Sequence, residues 1–205
     1  MKMKNIKLLS LLAAMLFVFA SCEETEETPE FHKWQQRNVE YVDSIATVAR
    51  TNADGAWKVF LADGLNPEKE WGNESYVYCN VLQAGNGTAS PAYTDTVLVN
   101  YKGRLIPSKN YPAGFVFDGS YDGELEPDFD VPVKLKLSGT VRGFYTALQH
   151  MVAGTNRSNG DIWRIYIPYA LAYGEDKVSG IPAYSTLIFD VNLVGFTPAG
   201  VPFNE

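Results

Sequence analysis

The chain has 205 residues, 46% hydrophobic and 20% charged, with 17 basic residues against 24 acidic ones and a formal charge of −7. That length excludes a large multidomain enzyme, and the apolar content excludes wholesale disorder. The acidic balance argues against nucleic acid as a partner, since neutralising phosphates takes clustered Lys and Arg; two cysteines and two histidines are too few for a disulfide framework or a His/Cys zinc site.

Lys2, Lys4 and Lys7 precede an apolar run from Leu8 to Ala20 that only Ser10 interrupts. The run has signal-peptide length and is too short to cross a bilayer, which takes about 20 residues. It ends in Phe19-Ala20-Ser21-Cys22, which resembles the lipobox of bacterial lipoproteins, with Phe19 where Leu is usual. The resemblance implies that residues 1–21 are a signal peptide, that Cys22 becomes the lipidated first residue, and that the lipid holds the chain to the outer membrane, at its periplasmic face or the cell surface. Without the three leader lysines the formal charge is −10. Glu23, Glu24, Glu26 and Glu27, closed by Pro29, make residues 22–30 an acidic tether that cannot bury apolar area. It reads equally as a surface-export signal or a plain spacer.

From Phe31 to about Asn52, Trp34, Tyr41, Ile45 and Val48 fall at helical spacing, with Gly55 as a stop. This stripe is expected to pack on the chain's own domain, with a homodimer through the helix as the alternative. Trp57 to Leu61 reads as a second short helix and Gly64 to Ser75 as loop, so residues 31–73 form an N-terminal helical segment ahead of a domain at 74–197. In that domain the period becomes two: Val77, Cys79 and Val81; Val97, Val99, Tyr101, Gly103 and Leu105; Val133, Leu135 and Leu137; Trp163, Ile165 and Ile167; Leu187, Phe189, Val191 and Leu193. Between them Val141, Phe144, Leu148 and Met151 mark one short amphipathic helix. Strands around one helix predict a small antiparallel α+β domain, with Cys79 an inert core thiol.

Six motifs then occur in order: Asp95 to Gly103 ending in Tyr101-Lys102-Gly103, Val116-Phe117-Asp118-Gly119-Ser120, Val141-Arg142-Gly143-Phe144, Met151-Val152-Ala153-Gly154, Ile167-Pro168-Tyr169-Ala170-Leu171-Ala172-Tyr173-Gly174, and Ile181-Pro182 with Thr186 to Val191. From Tyr76 to Phe196 the sequence resembles FKBP-type peptidyl-prolyl isomerases. The resemblance implies an antiparallel half-barrel wrapped on the short helix, and a proline pocket of Tyr101, Phe117, Asp118, Val141, Phe144, Tyr173 and Phe189. Thr140, Ile181 and Val133 are implied as substrate contacts. In the family, the backbone N–H at the position of Val141 and the hydroxyl at that of Tyr173 hold substrate carbonyls. Three departures stand out: Phe144 replaces the usual Trp at the pocket floor, the Arg that partners the motif Asp is missing with Gly123 near its place, and the link from Leu137 to Val141 is short.

Pocket chemistry of this kind suits the reaction. A prolyl bond is held by amide resonance behind a barrier of about 18–20 kcal/mol and turns over in tens of seconds or more unaided. Resonance is lost at the twisted transition state, so a dry aromatic cup with one or two directed hydrogen bonds suffices, without cofactor, nucleophile or metal. Asp118, Ser120, Asp122 and Gly123 match an EF-hand loop at its start, yet Phe129 stands where the closing Glu belongs, so calcium is not expected. The sequence thus predicts a prolyl isomerase that acts on proline-containing unfolded or loop segments of exported proteins. The alternative is a non-catalytic peptide-binding or chaperone module on the same fold.

Overall fold

The structure is a computed structural model that describes residues 29–203. The leader, Cys22 and the tether up to residue 28 lie outside the described residues. Strand β3 (Thr96–Leu105) is the axis. Along one side it pairs with β7 (Leu187–Thr197); along the other it pairs with β5 (Val133–Lys136) at its start and β4 (Val116–Gly119) at its end. Beyond β7 the sheet continues through β6 (Ile162–Ile167) and β2 (Tyr76–Gln83) to β1 (Trp57–Leu61), every pairing antiparallel. The FKBP-like antiparallel sheet with a short helix, expected from the sequence, is the fold found.

Alternation of side chains along each strand gives the sheet two working faces. On the inner face Val77, Cys79, Val97, Val99, Trp163, Ile165, Ile167 and Val191 bury against α2 (Arg142–Leu148), whose Phe144, Ala147 and Leu148 complete the main core. A Cβ on Gly143 would come within 2.3 Å of Ile167, so glycine there lets the helix lie close on β6. Cys79 is fully buried, and that burial pushes its thiol well above the ordinary range.

Two sequence expectations need correction. Trp57–Leu61 is not helix but strand β1, paired with β2 from Trp57↔Asn80 to Leu61↔Tyr76. Five residues are too few to show a helical or strand period by themselves, and the unpaired edge of β2 decides the outcome. The sheet therefore extends across residue 74. The N-terminal helix, α1 (Trp34–Thr51), exists, but its buried arc is rotated from the predicted stripe. Trp34, Asn38, Val42, Ala46 and Ala49 are buried, Tyr41 and Ile45 half-buried, and Val48 is 51% exposed. The small alanines let α1 approach the outer face of the sheet, where Tyr78 and Tyr166 meet it. Asn38, polar in sequence, is fully buried because both ends of its amide are bonded. Its Nδ2 donates to Trp34 O at 2.7 Å, and its Oδ1 accepts from the Thr186 N–H at 2.7 Å. Trp34 Nε1 donates to Ser185 Oγ at 2.9 Å. α1 thus grips the segment that leads into β7.

Candidate active site

Five segments converge on one cleft of about 310 Å³, lined by Tyr101, Asp118, Leu135, Gly139, Thr140, Val141, Phe144, Tyr173 and Phe189. Each arrives for a local reason. Tyr101 and Asp118 come from neighbouring strands, β3 and β4, with Asp118 directly across from Gly103. Their pairing is locked by Ser120, whose Oγ accepts from the Tyr101 N–H at 2.9 Å. Leu135 comes from β5. The single turn Leu137–Gly139 and Thr140, whose hydroxyl donates to Leu137 O at 2.8 Å, then deliver Val141 to the entry of α2. Tyr173 sits on the turn after Pro168. That turn closes through Gly174 at φ 64°, a left-handed conformation that favours glycine, with the Gly174 N–H donating to Tyr169 O at 2.9 Å.

Phe189 is the hub of the cup. Phe144 meets it edge-on at 5.2 Å, Phe117 edge-on at 5.6 Å, and Tyr101 tilted at 6.2 Å. Edge-to-face contacts of this kind favour the pairs beyond the area they bury. The approach of Phe117 and Phe189 depends on Gly103, since a Cβ there would stand 2.6 Å from Phe189 and 2.7 Å from Phe117.

Two kinds of polar group face this apolar surface. Tyr101 Oη donates to Asp118 Oδ2 at 2.7 Å; burial first, then that hydrogen bond, pushes the hydroxyl well above its usual value, so it stays protonated. The other Asp118 oxygen accepts from the Gly119 N–H at 2.9 Å. Among the described residues no cation pairs with Asp118, and no protein acceptor takes the Val141 N–H. Near Gly123, Lys102 Nζ donates to the backbone carbonyl rather than reaching Asp118.

Of the residues named from sequence, Tyr101, Asp118, Thr140, Val141, Phe144, Tyr173 and Phe189 line the cleft, and Phe117 backs it through Phe189. Ile181 is 5% exposed in the core beyond it, bridged to Val178, and Val133 pairs with Val99 on β5; neither lines the cleft. Both face the apolar interior, so their side chains support the cup from outside it. Leu135 and Gly139 were not singled out as site residues. Leu135 lay inside a strand pattern, and only the fold shows that β5 ends at the rim.

The described residues thus form a sheet wrapped on a short helix, with an aromatic cup at one rim. The sequence model of FKBP-type peptidyl-prolyl cis-trans isomerases matches residues 87–194, more than half of the chain, and the chain belongs to that family. It is 42% identical over 120 residues to the FKBP-type peptidyl-prolyl cis-trans isomerase FkpA of Escherichia coli, a match covering 58% of this chain and 37% of that protein. It is 42% identical over 116 residues to the peptidyl-prolyl cis-trans isomerase Mip of Coxiella burnetii, covering 56% and 42%. The outer membrane protein MIP of Legionella longbeachae is 34% identical over 120 residues, covering 58% and 43%. The matches thus span about two fifths of these relatives' lengths. A peptidyl-prolyl isomerase structure from Pseudomonas syringae aligns over 80% of this chain and 96% of its own, with TM-score 0.53 and 24% identity, which shows a shared fold.

Proposed function

We propose that the chain is a prolyl cis–trans isomerase that acts on proline-containing unfolded or loop segments of exported proteins, anchored by a lipid on Cys22. The observation that carries the catalytic reading is the cup itself: Phe144, Phe117 and Tyr101 gathered on Phe189, beside a backbone N–H at Val141 that no protein group takes. A prolyl ring seated against Phe144 and Phe189 leaves water, which favours the less solvated, twisted amide. The Val141 N–H then holds a substrate carbonyl, the Tyr173 hydroxyl a second one, and the Tyr101–Asp118 pair fixes the wall at which the turning carbonyl arrives. No covalent bond forms or breaks; the residues bind the twisted amide better than the planar one.

A protease-coupled proline-peptide assay tests this. The wild type is expected to accelerate cis-to-trans conversion. Tyr173→Phe should lose only a modest share of kcat/KM, because a neutral hydrogen bond is worth about 0.5–1.5 kcal/mol. Phe117→Ala should lose more, since Phe189 then has no edge-on neighbour on that side, and Phe144→Trp should hold or raise activity. The unpaired Asp118 and the smaller floor at Phe144 favour the second reading, a peptide-binding module without turnover. A folded protein inert on a panel of Xaa-Pro peptides, and not rescued by Phe144→Trp, would establish that reading instead.

The anchoring rests on the lipobox resemblance at Cys22, and the location at the outer membrane, on its periplasmic or outer side, is in keeping with the name of the Legionella relative. Cys22→Ala should abolish incorporation of labelled palmitate and move the protein to the soluble fraction; equal labelling of that variant would refute the anchor. A monomer is the expected state, because α1 spends its buried arc on its own sheet. The alternative, a homodimer, would use the exposed Val39 and Val48 of α1.

A further inference from the structure

The outer face of the sheet carries a second cleft that the prolyl pocket does not use. Gly103, Phe189 and Ile165 face inward, so their neighbours Arg104, Asp190 and Arg164 face outward on three adjacent strands. Register places Arg164 of β6 and Lys102 of β3 opposite Asp190, with Arg104 two pairs along, opposite Ile188. Asp190 accepts from Arg164 Nε at 2.6 Å and Nη2 at 3.1 Å, and forms an ion pair with Arg104 Nη2 at 2.8 Å. This ties β3, β6 and β7 together, and with Lys102 of β3 also opposite Asp190, one carboxylate among two guanidiniums and an ammonium leaves positive charge in excess. That excess is partly withdrawn from water, the Arg104 side chain being 15% exposed.

Both arginines line a cavity of about 320 Å³, walled by Tyr41 of α1, Tyr166, Ile188 and Ala113 of the loop after β3. Among the described residues no carboxylate lines it, in a chain whose formal charge is −7. The size falls at the lower end of small-molecule sites. Burial pushes the Tyr41 hydroxyl up to about 12 and raises that of Tyr166, so both remain protonated donors at neutral pH. We propose that this cleft binds a small organic carboxylate, its head on the guanidiniums of Arg104 and Arg164 and its body against Tyr166, Ile188 and Ala113. The planar fork of guanidinium matches a carboxylate. The apolar walls suit a carbon skeleton rather than a bare ion.

Calorimetric titration of the full chain with benzoate tests the site, alongside benzamide and inorganic phosphate. Benzoate is expected to bind saturably and benzamide not at all. Arg104→Gln should weaken benzoate by about tenfold or more, the loss of a charge-assisted contact. If that variant fails to fold, Ala113→Trp decides the matter. Position 113 is exposed and lines the cleft, so the change adds bulk there while leaving Arg104, Arg164 and Asp190 in place. It should weaken benzoate equally. Phe117→Ala, in the opposite face, should leave benzoate binding unchanged. The proposal is overturned if the wild type shows no saturable binding, if Ala113→Trp binds as well as wild type, or if Phe117→Ala abolishes binding, which would put benzoate in the proline cleft. Phosphate binding as tightly as benzoate would overturn the carboxylate assignment.

Discussion

A chain beginning at Glu74 is expected to lose cooperative folding, even though it retains every family motif. Its sheet would end at β2, whose backbone partner β1 is gone, leaving an unpaired edge with Val77 and Cys79 no longer flanked by Phe60. The outer face would lose α1, exposing Tyr78, which is now fully buried. Burying one large apolar side chain contributes about 1.5–3 kcal/mol. Trp34, Val42, Tyr78 and Phe60 together therefore approach the whole 5–15 kcal/mol, roughly, by which domains are stable. Urea unfolding followed by tryptophan fluorescence should show a cooperative transition for the full chain and a shallow or absent one for the truncated chain. The point version is Asn38→Ala. It leaves the buried Thr186 N–H without its acceptor and should cost about 1–3 kcal/mol, lowering the urea midpoint without changing the slope. A truncated chain as stable as the full one would mean that residues 31–73 merely decorate the domain.

The contrast with the sequence is instructive at individual residues. The cleft residues are legible only through the six ordered motifs by which the chain resembles its family, since neither periodicity nor composition singles them out. Phe189 could have been ordinary core from sequence alone; its central place in the cup follows from β7 lying between β6 and β3, a non-local fact. β1 was misread for the same reason, since nothing within Trp57–Leu61 records the free edge of β2. The rotation of α1 is hidden in the sequence because its contact face is built on Ala46, Ala49 and Asn38 rather than on large apolar residues alone. A helix that lies close on a sheet uses small residues at the contact, and a buried amide is acceptable when both its ends are bonded. Arg104, Arg164 and Asp190 lie far apart in sequence, and their junction needed the register of three strands.

Gly103→Ala is expected to lower prolyl-isomerase kcat/KM by about tenfold or more while the protein stays folded. Gly103 sits on β3 directly across from Asp118 and from Phe189 on β7, so it lies beneath the cup rather than in it. An added methyl would stand 2.6 Å from the Phe189 ring and 2.7 Å from the Phe117 ring, distances that no relaxed contact tolerates. Neither ring can retreat freely. Phe189 is 7% exposed and already abuts Phe144 at 5.2 Å, so its open direction is into the cleft, over the place where the prolyl ring would lie. Overpacking of this kind costs about 1–3 kcal/mol, within reach of an ordinary domain's stability, so a folded variant should be recovered. The geometric damage is larger than the energetic one, because displacing a positioning wall by about 1 Å can cost a hundredfold in rate. The measurement is the coupled peptide assay beside a thermal melt of the same sample. A variant that melts a few degrees lower yet keeps full activity would show that the close approach of Phe117 and Phe189 serves packing alone, and that the cup works through Phe144 and Tyr173 without it.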